Sequence, residues 1–385
     1  MTIDDEPGIL GRIASVGLVA SSSVEQVGAV VTVPSDQAGW SQLLLSVARH
    51  RISGLLTAAI ESGQIRVTDA QYQDAIDAQR ERMTACLLLE DHLVHISTTL
   101  VAAGIDVRAL KGPAVAHLDY PDPSWRVFGD VDILVRSRDF DDAVDAITAT
   151  GVERRFPELR PRFDCRFSKG VEFFAADRPE VDLHRTFVMG RFGLLIDLDE
   201  VWAESEPFEL AGHTMHALDA DVRFLHACYH VALGGRHVRL AQLRDIGQLL
   251  HRPGTPIDID RVLSLARSWK GEMVVARAVR LATDGLLLEE NGLSRWATEF
   301  RPSSLDRRTL RTYLDPSAGY AARSLVAVAA IPGWRARLAF VHALAMPSAA
   351  YGPGRHSGRW QRWSGAAGDL RQILAPRPPR ESHRD

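Results

Sequence analysis

Lysine is scarce. Lys111, Lys169 and Lys270 are the 3 lysines of the chain, so arginine supplies almost all of the 45 Lys+Arg. Arginine stays ionised and makes bidentate contacts with phosphate or carboxylate. Cysteine is equally rare, and Cys86, Cys165 and Cys228 are far apart and odd in number. That argues against a disulfide framework or a thiolate zinc site and points to a reducing, cytoplasmic setting. A large charge excess is missing too, since 49 Asp+Glu leave a net charge of −4. A nucleic-acid-binding surface needs a basic stripe, so nucleic acid is not expected among the partners. The longest apolar stretch, Ser324 to Trp334, is broken by Pro332-Gly333 and is too short to span a bilayer, so no membrane partner is expected. The N-terminus is acidic (Asp4, Asp5, Glu6) and lacks the basic-then-apolar order of a signal peptide. What is present is ordinary globular usage. The chain is 46% hydrophobic and 24% charged, which excludes wholesale disorder. Its 385 residues suggest two or three domains.

Residues 1–37 are rich in Ser, Gly and Val without a clear helical period and read as a poorly ordered lead. Residues 38–105 read as helical. One amphipathic segment runs from Trp40 to Glu61, and a second begins at Thr68, where Gln71 completes a capping box, and stops at Gly104. Residues 106–200 change texture. Strands are expected at Val107–Leu110, Val131–Val135, Phe163–Phe167, Val171–Phe174 and Glu180–His184, with Ser168-Lys169-Gly170 as a hairpin turn and helices at Pro113–Leu118 and Asp139–Thr150. Residues 201–350 read as helical almost throughout, with segments at 220–233, 239–251, 258–270, 272–288, 303–314 and 334–346. Residues 351–385 are Gly-, Arg- and Pro-rich and read as a disordered basic tail, with Trp360 and Trp363 among its arginines. The fold class is α+β, a small mixed β-sheet core flanked by N-terminal helices and a C-terminal helical domain.

The most informative segment is Arg126-Val-Phe-Gly-Asp-Val-Asp-Ile-Leu-Val135. On a strand, alternate residues share a face, so Asp130 and Asp132 lie together while Val131, Ile133 and Val135 can be buried. Adjacent carboxylates destabilise a bare strand, and a hard divalent cation removes the repulsion. An acidic wet face with no ligand gives the same pattern. Val181-Asp182-Leu183-His184 repeats it on a second strand. If the two strands pair, Asp182 completes a three-carboxylate cluster able to hold two ions, with His184 contacting a phosphate or orienting Asp182. Gly129 permits close approach of a phosphate chain. Lys111-Gly112, between a strand and a helix, suits phosphate binding or a plain turn. Arg126 suits a triphosphate or a structural salt bridge. His226 and His230 share a helix face and suit packing, the acceptor cleft or, less well, a metal. Asp245 suits a pair with Arg239 or Arg244, a cleft cap or a solvated helix face.

Leu110-Lys-Gly-Pro-Ala114, Tyr120-Pro-Asp-Pro123, Arg126 and Gly129-Asp-Val-Asp-Ile-Leu-Val135 together resemble the uncharacterised nucleotidyltransferase family of the DNA polymerase β-like superfamily. Val181-Asp-Leu-His184 is similar to its third acidic strand, and His226-Ala-Cys-Tyr-His230 with Leu243-Arg-Asp-Ile246 to its helical region; the similarity spans roughly residues 85–350. The resemblance implies a metal-dependent nucleotidyl transfer from an NTP with two Mg²⁺ ions. Asp130, Asp132 and Asp182 match the catalytic metal ligands. Lys111, Gly112, Gly129 and Arg126 fall at the nucleotide-binding positions, although Lys111-Gly112 stands where the wider superfamily has Gly-Ser. The resemblance leaves the acceptor open, a hydroxyl or phosphate of a small molecule or of a peptide, the peptide because some family members lie beside genes for ribosomally made peptide natural products. Two other readings are a catalytically inactive nucleotide-binding adaptor and a tRNA-directed nucleotidyltransferase.

Overall fold

A computed structural model describes residues 7–18, 31–176, 178–235, 237–252, 256–315 and 326–348 of the chain. The first element is helix α1 (Pro7–Ala14). The segment was expected to be a poorly ordered lead, but Leu10, Ile13 and Ala14 fall on one helical face and are buried. Arg244 fastens its end by donating to the carbonyls of Ala14 (2.9 Å) and Val16 (2.6 Å). Next come β1 (Val31–Thr32), α2 (Gln37–His50), α3 (Ser53–Glu61) and β2 (Ile65–Arg66). The expected single helix over Trp40–Glu61 is thus two, separated at Arg51, which takes a left-handed conformation (φ 58°) as the cap of α2.

Helix α4 (Asp69–Ala102) starts at the capping box seen in the sequence. The Gln71 amide N–H donates to Thr68 Oγ1 (3.2 Å), and the Thr68 N–H donates to Gln71 Oε1 (3.0 Å). Thr68→Ala should therefore lower stability by about 1 kcal/mol, read as a shift of the denaturant midpoint. Among the described residues α4 is the one helix long and apolar enough to cross a membrane. The apolar-run expectation above did not anticipate it, because charged residues interrupt the run. Its stripe Cys86, Leu89, Leu93, Ile96 and Leu100 is buried against the central sheet.

That sheet contains β3 (Val107–Leu110), β4 (Val131–Val135), β5 (Glu153–Arg154), β6 (Gly170–Ala175), β7 (Arg178–His184), β8 (Ser205–Leu210) and β9 (His213–Leu218), in the order β5-β6-β7-β4-β3-β9-β8. Helix α5 (Gly112–Asp119) follows β3, and α6 (Phe140–Ala149) follows β4. Pairs β4–β7 and β3–β9 are parallel, and the other neighbours are antiparallel. Residues 163–167, expected as a strand, instead contain the short helix α7 (Asp164–Phe167). The i, i+4 spacing lets Phe163 and Phe167 both pack on Phe340. The hairpin partner of β6 is β7, not this segment.

Beyond α8 (Gly190–Leu194) and α9 (Leu198–Trp202), the hairpin β8–β9 corrects the expectation of helix alone after residue 200. Its turn, Ala211-Gly212, has two positive φ angles (49° and 79°), the geometry that fits a twisted two-residue hairpin. The chain continues as α10 (Ala220–Leu233), α11 (Leu240–Leu250), α12 (Ile259–Ser268), α13 (Glu272–Leu286), α14 (Gly292–Glu299), α15 (Ser304–Leu314) and α16 (Trp334–Ala345). The expected tail, 351–385, lies outside the described residues.

The central sheet is covered on both faces. Val131, Ile133, Val135, Val181 and Leu183 pack with α4 and α6, whereas Leu110 and Leu134 join the core built by α1, α10, α11 and α13. Every residue of β4 is consequently buried. The face expected to be wet is the floor of a site between the sheet and the helical region.

Candidate nucleotide and metal site

Strand register builds the centre. Asp132 pairs with Asp182 across the parallel β4–β7 ladder, and Leu134 pairs with His184. Asp132, Asp182 and His184 therefore emerge on one face. One ligand atom from each lies within 4.8 Å of the other two. His184 Nε2 donates to Asp132 Oδ1 at 2.8 Å and lies 3.6 Å from Asp182 Oδ2. An ionised carboxylate offers only acceptors, so this nitrogen carries the hydrogen.

Lysine supplies the counter-charge. Lys111, directly after β3, places Nζ 2.7 Å from Asp132 Oδ1. Lys169, directly before β6, places Nζ 3.4 Å from Asp182 Oδ2. Two of the chain's lysines thus converge on two of its expected catalytic aspartates. Burial opposes ionisation of Asp132, yet Lys111 and His184 overcome it and hold the carboxyl well below the usual carboxylate range. The same holds more mildly for Asp182, where burial is outweighed by His184 and Lys169. Burial likewise opposes charge on Lys111, but Asp132 and Asp130 raise its ammonium above the ordinary lysine value.

Lys111 is held in a costly backbone conformation, φ 47° and ψ −143°, and Gly112 after it has φ 24°. A non-glycine residue there stores on the order of 1–3 kcal/mol of strain. The ion pair with Asp132 retains it. The strain marks the position as one where glycine would sit more comfortably, and the side chain is what lysine adds.

Asp130 stands apart from this tight group. Its side chain is 48% exposed and faces Arg51 Nη1 at 3.8 Å. Gly129 beside it does permit a close approach, but of protein: a Cβ there would lie 2.6 Å from Arg51 Nη2. Burial, and then Arg239 nearby, lower the pKa of Arg51. Arg51, with Arg239 near it, sets positive charge beside Asp130. Nothing in the sequence singles out Arg51; it belongs to a helical stretch and reaches the site only because α2 ends there.

Arg126 takes the second of its two expected roles, the structural salt bridge. It is 6% exposed. It grips Asp245 with Nε to Oδ1 and Nη2 to Oδ2, both at 2.7 Å, while Tyr120 Oη donates to the same Oδ1 at 2.9 Å. Asp245, expected beside Arg239 or Arg244 or on a solvated helix face, is buried and pairs with Arg126. His226 is buried near the cluster and packs against Phe187 with the two rings tilted and their centroids 4.7 Å apart. Burial, reinforced by Lys111 and His184, pushes its pKa well down, so it is a neutral wall of the site. His230 accepts from Gln242 Nε2 at 2.6 Å.

The two carboxylates, with one ligand atom of each and of His184 within 4.8 Å of one another, suit a hard divalent cation, while His184, whose Nε2 hydrogen points to Asp132, orients that carboxylate. The sequence profile described as "Uncharacterised nucleotidyltransferase" matches residues 36–286, more than half of the chain. The chain belongs to the uncharacterised nucleotidyltransferase family. The match spans α2 to α13 and includes every residue of the candidate site. A crystal structure of an antigenic nucleotidyltransferase-like protein from Paracoccidioides brasiliensis is similar at 14% identity and a TM-score of 0.33, covering 51% of this chain and 92% of that one. So distant a likeness carries no argument about the site. Comparison with curated proteins gives no match.

Proposed function

We propose that the protein is a metal-dependent nucleotidyltransferase that moves an NMP from an NTP to a hydroxyl or phosphate of a small-molecule or peptide acceptor. The observation that carries this is the register of Asp132 beside Asp182, which aims two carboxylates from neighbouring strands at one point. Asp132 and Asp182, with Asp130 at the rim, would hold Mg²⁺, two ions at most. When bound, the metal supplies positive charge to the acceptor oxygen and to the phosphates. The acceptor oxygen bonds to the α-phosphorus, the bond to the β-phosphate oxygen breaks, and pyrophosphate leaves with the electron pair. The acceptor proton passes to water, because Asp182, held below the usual carboxylate range, orients the hydroxyl without retaining its proton. Arg51 and Arg239 face the open side at Asp130, where the triphosphate would enter. Lys111 sits where it can move from Asp132 to a phosphate. Catalysis is mainly positioning and charge stabilisation.

With the four labelled NTPs each incubated in turn with the protein and a host extract, at least one should give a labelled product and pyrophosphate that disappear with EDTA. Asp182→Asn should lower the rate by on the order of 10²–10³-fold with a nearly unchanged melting transition, because its side chain is 24% exposed. Full activity in that variant would refute the assignment.

One observation favours a second reading. Lys111 and Lys169 already balance Asp132 and Asp182 without a metal. A nucleotide-binding adaptor that performs no transfer would need no more. NTP binding by calorimetry, with no pyrophosphate released across a broad acceptor panel, would select it.

A further inference from the structure

Helix α16 is apolar on two sides. Phe340 and Ala343 are buried, with Phe340 packed on Phe163 and Phe167. Just past the helix end, the Ser348 N–H donates to the Leu159 carbonyl at 2.8 Å. These contacts fix which face looks outward. That face carries Trp334, Leu338 and Val341, which are 66%, 59% and 46% exposed. At i, i+4 and i+7 they form one stripe. Single exposed apolar residues are ordinary, but a contiguous patch of large ones marks a contact surface.

Positive charge borders the stripe. By helical spacing Arg337 lies on one side of it, and Arg335 with His342 on the other. The Arg335 guanidinium sits 5.3 Å from the Trp334 ring centroid, and Arg337 Nε donates to the Ile331 carbonyl at 2.8 Å. Among the described residues neither arginine meets a carboxylate, and α16 contains no acidic residue. Helix α15 lies close by, since its Tyr313 and Phe340 of α16 line one cavity. It adds Arg307, Arg308 and Arg311, all exposed. The bias is regional. Residues 287–385, beyond the family match, hold 15 arginines and 8 acidic residues, a net charge of +7, whereas residues 1–286 carry −11. The overall −4 conceals this division.

We propose that the outer face of α16 docks flat on an anionic phospholipid surface, with Trp334, Leu338 and Val341 entering the boundary between headgroups and acyl chains and Arg335 and Arg337 meeting lipid phosphates. Spanning a bilayer takes about 20 apolar residues, which α16 lacks, but lying on one takes a single apolar face with flanking cations. The division of charge orients the approach: an anionic surface attracts the C-terminal part and repels the remainder. Other occupants fit less well. Single-stranded RNA uses cations and aromatic platforms and leaves Leu338 and Val341 without a role. A two-fold pairing of the stripe with a second copy brings arginines from both chains, and no α16 carboxylate, to one seam. The chain after α16, residues 349–385, has 7 arginines against 3 acidic residues, so placing it there sets positive charge on positive charge. None of this depends on the reaction at Asp132 and Asp182.

The test is cosedimentation of the full chain with lipid vesicles. Partition onto phosphatidylcholine vesicles containing about 30% phosphatidylglycerol should exceed that onto pure phosphatidylcholine by at least ~10-fold. The double variant Trp334→Ser, Leu338→Gln should lower partition onto the anionic vesicles by at least ~10-fold with an unchanged melting transition, because both side chains are mostly exposed in the fold. If that variant unfolds, Leu338→Gln alone decides, with at least a ~5-fold loss expected. Arg335→Glu should reduce binding to anionic vesicles and leave the weak binding to neutral ones unchanged. Equal partition onto both vesicle types, or no partition, would overturn the proposal. So would undiminished binding by the stripe variants, which would assign the membrane contact to another part of the chain. Sedimentation equilibrium and a gel shift with oligouridylate are run in parallel. Stripe-dependent self-association or RNA binding, with no vesicle binding, would give the surface to a second copy or to RNA and overturn the lipid assignment.

Discussion

Asp132→Asn is expected to end nucleotidyl transfer and also to destabilise the fold by about 3–5 kcal/mol, the usual result of removing one partner from a buried ion pair. The three candidate aspartates differ in exposure. The side chain of Asp132 is 2% exposed, against 24% for Asp182 and 48% for Asp130. Asparagine at 132 leaves the Lys111 ammonium buried on a strained backbone without its counter-ion. At 130 the neighbouring Arg51 is more exposed and the site opens to water, so Asp130→Asn should cost little stability. Urea denaturation of the three variants should order them 132, 182, 130 in lost stability. Adding Lys111→Met to Asp132→Asn should restore part of the loss and none of the transfer.

The pH dependence follows in sign. Asp132 titrates lower in the folded than in the unfolded chain. Its contribution is therefore present above the unfolded value, ~4, and is lost as pH falls through the lowered folded value. Lys111 is raised on folding. Its contribution is present below the unfolded value, ~10.4, and fades as pH rises through the raised one. The pair therefore works in full across neutral pH. Asp132→Asn should flatten the acid side of a stability–pH curve measured by denaturant midpoints. A steep acid limb retained in the variant would place the titrating group elsewhere.

The acidic strands were legible because their chemistry is local. In Val131–Val135 and Val181–His184, alternating apolar and acidic residues define strand, face and candidate ligands together. Lys111 was legible for its rarity and its place after a strand, though its contact with Asp132 depends on how β3 and β4 align. What escaped was set by tertiary contact or by weak turn chemistry. The β8–β9 hairpin turns at Ala211-Gly212, without the Asn-Gly or Asp-Gly that marks such turns, so its two strands read as part of a helical region. Phe163–Phe167 has the aromatic content of a strand and becomes a helical turn because Phe340, far along the chain, receives both rings. Helix α1 has few turns and gains its fixed place from Arg244, about 230 positions away.

Arg126 is the case where sequence proximity misleads most, and it yields the second large expected effect. Four positions before Asp130 it suggests a phosphate ligand. In the fold it ties the loop before β4 to helix α11 through Asp245, with Tyr120 closing the network. The bidentate geometry with both partners under one-tenth exposed is the arrangement in which loss of one partner is most costly. Arg126→Met should remove about 3–5 kcal/mol and lower the melting temperature by on the order of 10 °C, because Asp245 and the Tyr120 hydroxyl are left buried with a missing cation. Asp245→Leu should do similar damage by orphaning the guanidinium. The double variant is informative: with both charges gone and two apolar side chains in their place, stability should recover most of the loss, since a buried pair contributes little beyond what well-packed apolar residues provide. The affinity of the double variant for NTP separates the two roles. If Arg126 is purely structural, restored folding restores NTP binding. If the double variant folds and binds NTP at least ~10-fold more weakly, the guanidinium acts on the nucleotide as well, and the network would have to open when the triphosphate enters.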